Sequence, residues 1–536
     1  MFSISRKTLF LLAAIAGLAF SIPSIQAQEQ AATASSDFKP AVLQEQLKKS
    51  QAGCIAATVI IWPLKDNPVT ATGVIISEDG LMLTAAHVTS LGNDGGKFRI
   101  QLADGKKVQA SLLGSDKTGD LSLLKIDHDG TAKFPFVNLA KKSPDLGTFC
   151  FVLGHPDKFF EGRPPQLRLG RITSRAMEGN DLVMLITDAN IQPGDSGSPL
   201  FDLDGNLIGI NSSAGNYMNF NRAVPVETYY RDREKFTGGN TWGELKAGPL
   251  KLEIDPRIDS SREGITRMAE EFTRRLKAGY EPIVQIVQKN VTPDGKLKVD
   301  AQMLVDALGV DALAISRGQN TVLGINDPAL ANRLPDCDQL KLVRPLPVIS
   351  GDKILEMSTA IDSRHVITTL SPVEGVADLK CRKGNEVLNA AIAYADKENN
   401  IAILDLGETA NLVPADFSKI SKDAAPGTIV LCPHPAKGYI SWGVVSDSAR
   451  KVEGGGEVGP LLNEKDLISK NRGPYAKVIA TDVDIFAAEM GCPAYDLEGN
   501  FLGIGLARKS RTLAFILPAD IVAELKTKIP ADRTSK

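Results

Sequence analysis

Residues 187–210 read TDANIQPGDSGSPLFDLDGNLIGI, and residues 481–504 read TDVDIFAAEMGCPAYDLEGNFLGI. The two stretches align without a gap. Working outward, residues 116–126 (DKTGDLSLLKI) match residues 396–406 (DKENNIAILDL), and Gly147-Thr148 and His155-Pro156 return as Gly427-Thr428 and His434-Pro435. Around these matches, residues 55–226 and 345–522 consist of short apolar runs separated by Gly, Asp and Asn turns. Many short strands with regular turn signals indicate an all-β barrel or sandwich. The chain therefore reads as mainly β, one β unit present twice, because a solenoid would need several shorter repeats.

The chain has 536 residues, enough for two to four domains at about 100–200 residues each. Apolar residues make up 43% and charged residues 23%, which excludes disordered, collagenous and coiled-coil classes. Lys plus Arg total 61 against 64 Asp plus Glu, so charge gives no reason to expect nucleic acid as a partner. Five histidines argue against a metal-rich protein, and no cofactor is implied.

Arg6 and Lys7 precede an apolar run over residues 8–20 and then Ile25-Gln26-Ala27, the pattern of a signal peptide spanning 1–27. The run is short for a membrane span of about 20 residues, and no later stretch of 18 apolar residues occurs. The expectation is a soluble product exported to the periplasm or the extracellular space, with no membrane span after signal removal. Six cysteines are too sparse for a disulfide scaffold, and their spacing does not pair them. Between the β units, residues 262–279 carry Ile265, Met268, Phe272 and Leu276 on one helical stripe, with Ser260 or Ser261 as a cap, and residues 299–308 give a second helix before Gly309. The expected organisation is a β domain over 45–234, a mostly helical connector over 235–340, and a second β domain over 341–530.

Three segments of the first unit carry the chemistry. His87 ends LMLTAAH, Asp120 opens DLSLLKI, and Ser196 sits in QPGDSGSP. A serine hydroxyl is a poor nucleophile until a base takes its proton, and an imidazole does this when a carboxylate fixes its tautomer. Gly194 and Gly197 flank the serine, and without Cβ atoms they allow backbone N–H groups to converge. The amides of Gly194 and Ser196 are candidates for an oxyanion hole. The order His, Asp, Ser differs from that of α/β-hydrolases and of subtilisins.

On these motifs, residues 55–226 resemble the trypsin-like (chymotrypsin-fold) serine proteases, and are most similar to the HtrA/Deg branch. The matching pieces are LTAAHV, DLSLLKI, TDANIQPGDSGSPL and GNLIGINS. The resemblance implies two six-stranded barrels per protease domain with the catalytic residues between them, and polypeptide substrates, unfolded chains among them. It also implies that Asn190 lies at the base of the pocket for the substrate's P1 side chain. Ser212, Ser213, Ala214 and Gly215 would form the edge strand that pairs with substrate backbone. A neutral Asn190 suggests small or aliphatic P1 residues.

This sequence departs from the family in places. Asp195 stands where HtrA-type chains usually carry Asn, with no activation sequence to supply an N-terminal partner, so a basic group or solvent is expected to meet it. Ser198 replaces the usual Gly, and no PDZ-like loop follows residue 226. His155 is expected to be structural, because His434 persists in the second copy; His128, beside Asp127 and Asp129, reads as a solvated loop. In that copy Met490 stands for Ser196, Asn400 for Asp120, Ala488 for Gly194, and residues 366–372 contain no histidine. Cys492 has no base placed for it. The second unit therefore reads as a degenerate protease domain. The alternative for the whole chain is a latent or non-catalytic scaffold whose second unit binds a protein partner.

Overall fold

The computed structural model describes residues 39–530 apart from 63–69, 91–95, 157–161, 180, 216–217, 246–253, 278–280, 320–339, 341, 422–423, 436–439 and 454–467. The expected signal segment and Cys337 lie outside the described residues.

The protein is mainly β. In the first unit, six antiparallel strands between Thr58–Trp62 and Leu121–Ile126 form a ring, closed by the pairing of Lys107–Asp116 with Leu121–Ile126. A second, closed six-stranded barrel runs from Phe149–Gly154 to Asn221–Pro225. The second unit repeats the latter barrel, from Ile429–Pro433 to Leu513–Pro518. Its preceding half is instead an open seven-stranded sheet, unlike the six-stranded barrel the resemblance implies. Its end strands Glu386–Asn389 and Ala391–Asp396 are largely exposed, so closing the ring would bury little apolar surface.

Some helices are not evident from the β pattern. Pro40–Ala57 starts on Pro40, which suits a first helical turn, and buries Leu43, Leu47 and Cys54. It also reaches the second unit: the Ile429 amide donates to Gln44 Oε1 (2.7 Å), and Gln51 Nε2 donates to the Pro426 carbonyl (2.6 Å). The helix Val226–Thr237 crosses the boundary drawn at 234, because Tyr229 and Phe236 pack on the first barrel and the strand Thr241–Trp242 pairs with Lys107–Asp116.

The connector is mostly helical where described. Arg262–Lys277 buries Met268 and Phe272, and Ser261 Oγ accepts from the Gly264 amide as its cap. Ala301–Leu308 is capped by Asp300, which accepts from the Met303 amide. Two further helices, Glu281–Lys289 and Asp311–Ser316, complete a separate apolar core. Gln285 reaches Met218 of the first unit (Nε2 to Sδ, 3.8 Å).

The two closed barrels meet directly. Strand Gln166–Glu178 faces strand Ile440–Val452, the ring of Phe149 meets that of Trp442 edge-on at 6.3 Å, and one apolar core runs through both units. Asp482 sits in the junction. Its carboxylate accepts from Val444 N (2.6 Å) of its own barrel and from Leu169 N (2.7 Å) of the other. Burial pushes its pKa up to about 7 despite these two bonds.

Candidate active site

His87 is delivered by the strand Leu81–Thr84, which turns into a short helix, Ala86–Ser90. Asp120 precedes the strand Leu121–Ile126 with φ +57°, a left-handed conformation that Asp tolerates better than most residues. That kink lets one carboxylate serve both ends of His87. Asp120 Oδ1 accepts from the His87 amide (2.8 Å), and both carboxylate oxygens lie 3.0 Å from Nδ1. A bond at Nδ1 leaves Nε2 as the nitrogen free to take a proton. Ser212 Oγ, on strand Leu207–Ala214 of the second barrel, donates to Asp120 Oδ2 at 2.5 Å and so ties the two barrels together at the carboxylate.

Ser196 lies on the turn 192–198, which is pinned to the first barrel. The Ser196 carbonyl accepts from Thr72 N (2.9 Å), and the Gly194 carbonyl accepts from Thr72 Oγ1 (2.9 Å). Gly194 has φ +101° and Gly197 φ +81°. A Cβ on Gly197 would lie 2.0 Å from Thr84 Oγ1 and 2.3 Å from the Thr72 carbonyl, so only glycine fits this close approach. Neither the Gly194 amide nor the Ser196 amide donates to a described residue, which leaves both for an oxyanion. Ser196 Oγ has no hydrogen bond to a described residue. The serine–histidine link is commonly loose in free enzymes. Ser198 is buried, and its hydroxyl is held by Asn211 Nδ2 (3.0 Å).

Asp195 has a partner within the first unit. Its carboxylate forms a two-pronged pair with Arg168 of strand Gln166–Glu178, both bonds 2.9 Å, and also accepts from Gln192 N (2.9 Å). Arg168 and Asp195 are both 0% exposed. A Cβ on Gly154 would lie 2.2 Å from Asp195 Oδ1, so glycine there makes room for the pair. The sequence shows the Asp and the missing N-terminal partner, but Arg168 sits in an ordinary strand and carries no motif of its own.

Asn190 is buried and bound to other asparagines. Its Nδ2 donates to Asn219 Oδ1 (2.9 Å), and its Oδ1 accepts from Asn219 N (2.7 Å) and lies 3.4 Å from Asn221 Nδ2. Ser213 and Ala214 remain partly exposed on their strand, whereas Gly215 is buried and its amide donates to the Phe220 carbonyl (2.7 Å). His155 is buried beside this turn. Burial, then Arg163 and Arg168, lower its pKa to about 3, which keeps it neutral. His128 is a loop residue, bonded to the Asp79 carbonyl and the Gly130 amide.

The second unit shows which of these features its substitutions remove. Asn400 keeps the left-handed backbone of Asp120 (φ +56°), but its Oδ1 accepts from the amide and hydroxyl of Ser371, which occupies the place of His87. Gly491 keeps the geometry of Gly197 (φ +84°). Ala488 cannot easily hold the positive φ of Gly194, and residues 487–489 coil into a 3₁₀ turn. The Met490 amide, counterpart of the Ser196 amide, then points at the Ala487 carbonyl (3.5 Å). Cys492 is buried, and the Cys432 thiol, then burial, raises its pKa well above the usual thiol range. The buried ion pair is replaced by a chain. Glu489 Oε1 lies 3.0 Å from His434 Nδ1, and His434 Nε2 lies 3.0 Å from Ser441 Oγ. Ser441 is fully buried, so no substrate carbonyl can reach this Ser–His–acid arrangement. Arg508, in the register of Ala214, is buried, pairs with Asp484 (3.3 Å) and stacks over Phe486. Its partner Asp484 stands at the position of Asn190.

A β-barrel pair that carries an Asp-bound histidine and a glycine-flanked serine has the features of the chymotrypsin-like class. Residues 71–210 match the family model of the trypsin-like peptidase domain. The chain is 34% identical over 237 residues to a probable periplasmic serine endoprotease DegP-like of Hahella chejuensis, covering 41% of this chain and 48% of that protein. A DegP-like protein of Halomonas elongata is 38% identical over 194 residues, covering 34% of this chain and 38% of its own length. The solved serine endoprotease from Yersinia pestis is 27% identical with a TM-score of 0.31, covering 36% of this chain and 66% of that chain. The chain spans about half the length, or less, of the curated relatives it matches. Its first β unit is similar to the trypsin-like peptidase domain of these DegP-like proteases.

Proposed function

We propose that the protein is an exported serine endopeptidase. Ser196 attacks the scissile carbonyl while His87 Nε2 takes its proton. Asp120 holds the imidazole and stabilises the imidazolium, and the amides of Gly194 and Ser196 receive the developing oxyanion. His87 then protonates the leaving amine, and water releases the acyl group from Ser196. The observation that carries this reading is the Asp120 carboxylate bound at 2.8–3.0 Å to both the amide and Nδ1 of His87. The Arg168–Asp195 pair supplies a cation inside the domain, so the turn needs no N-terminal cut to be held. Export rests on the basic and apolar start of the chain and on the relatives' description as periplasmic.

The second unit is read as a pseudoprotease. It lacks the nucleophile, base and oxyanion amides, and a buried Arg508 is paired with Asp484, the counterpart of Asn190, which speaks against peptide binding through its old cleft. Casein cleavage by the chain without residues 1–27 tests the proposal. Activity that disappears in Ser196→Ala and His87→Ala, with folding retained, is expected. Activity that appears only after a further N-terminal cut contradicts the role of Arg168.

A further inference from the structure

The second unit contributes a charged residue to the candidate pocket of the first. Strands Phe501–Ser510 and Leu513–Pro518 are joined by a tight turn at Arg511-Thr512, and both turn residues are buried. The turn is held in place from the first unit, because Gln166 Nε2 donates to the Thr512 carbonyl (2.5 Å). It is also held from its own unit, because Arg508 Nη2 donates to the Arg511 carbonyl (2.7 Å). The Arg511 guanidinium thereby crosses the junction. Nη1 donates to the Gly215 carbonyl at 3.1 Å, and Nη2 lies 3.4 Å from Asn221 Oδ1. Asn221 in turn lies 3.4 Å from Asn190 and accepts from the Ile191 amide (3.2 Å). The wall between Asn190 and Gly215 is therefore backed by a cation brought from about 290 residues away in sequence.

We propose that Arg511 is a specificity-determining residue of the first-unit site, and that the pocket it backs accepts an acidic P1 side chain, Glu or Asp. The inference rests on the endopeptidase reading and on Asn190 marking the pocket. A guanidinium held in a buried wall attracts a carboxylate and repels a Lys or Arg side chain, and the asparagines beside it bring no opposing charge. This replaces the expectation of aliphatic P1 residues drawn from Asn190 alone. It also gives the degenerate unit a task, because its hairpin completes a pocket that the first unit does not complete by itself.

The test is a set of peptides differing only at P1 (Glu, Gln, Val, Lys), cleaved by the full chain and by its Arg511→Gln and Arg511→Lys variants, with fluorophosphonate labelling of Ser196 alongside. The expected wild-type result is a kcat/KM for Glu at least about tenfold above Gln and Val, with Lys the poorest. In Arg511→Gln the ratio of Glu to Val cleavage should fall to within about threefold, mainly through the KM for Glu; Arg511→Lys should restore part of it. A wild-type preference for Val or Lys, or a Glu preference unchanged in Arg511→Gln, overturns the proposal and leaves the endopeptidase reading standing. Equal loss on all four peptides in both variants also overturns it, since that assigns Arg511 to holding the junction only. No cleavage and no labelling of Ser196 in the wild type would instead sink the endopeptidase reading itself.

Discussion

Replacing Arg168 by Met removes the cation but keeps most of the side-chain volume. In the native turn, Asp195 accepts two guanidinium bonds of 2.9 Å and one from Gln192 N, and neither ion touches solvent. Removing one partner of a buried pair costs about 3–5 kcal/mol, because the remaining charge is uncompensated. Asp195 can escape that cost by taking up a proton or by swinging outward. Either response disturbs the residue between Gly194 and Ser196, the two amides meant for the oxyanion. Losing one such donor lowers turnover by about 100- to 1,000-fold. Arg168→Met is therefore expected to lose at least about 100-fold in kcat on a peptide substrate, with KM less affected, while circular dichroism still reports a β fold. Arg168→Met combined with Asp195→Asn should recover part of the lost stability, since no charge is left buried. Wild-type kcat and melting temperature in the single variant would refute the reasoning.

Other outcomes follow from the same geometry. Glu356 is buried with its carboxylate on Thr368 and Thr369, and burial pushes its pKa up to about 7. The folded chain then binds this proton more tightly than the unfolded one, so the contribution to stability falls as pH rises from about 4.5 to about 7, by about 3 kcal/mol in all. Denaturant unfolding should show Glu356→Gln to be less sensitive to pH over this window than the wild type; an unchanged pH dependence would count against the burial argument. Gly197→Ala should abolish labelling of Ser196 and lower the melting temperature, because its Cβ collides with Thr84 and Thr72. Ser212→Ala removes one of the bonds on Asp120 and is expected to lower kcat by about 3- to 10-fold, read by steady-state kinetics.

The site's short motifs were legible because each encodes local geometry. The glycines around Ser196 mark a turn that needs positive φ, and the runs ending at His87 and opening at Asp120 mark the strands that carry them. The duplication was legible because both copies keep Gly491 or Gly197 and the same following strands. Long-range partners left no local trace. Arg168 lies in a strand that would bury an apolar side chain equally well, and its role exists only once Asp195 folds beneath it. Arg511 is further removed, since its effect depends on how two barrels meet. The open sheet of the second unit and the helix Pro40–Ala57 were hidden for a related reason: both depend on surfaces that only the assembled chain presents. Arg508 left no motif either, because its pairing with Asp484 depends on strand register.

The most direct test of the central claim is to react the chain lacking residues 1–27 with a fluorophosphonate, measure the intact mass, and map the adduct by peptide sequencing, with Ser196→Ala and His87→Ala alongside. One adduct per chain on Ser196, absent in the first variant and strongly slowed in the second, is the predicted result. A folded wild-type chain that takes no label, or takes it at Ser441 or elsewhere, would contradict it.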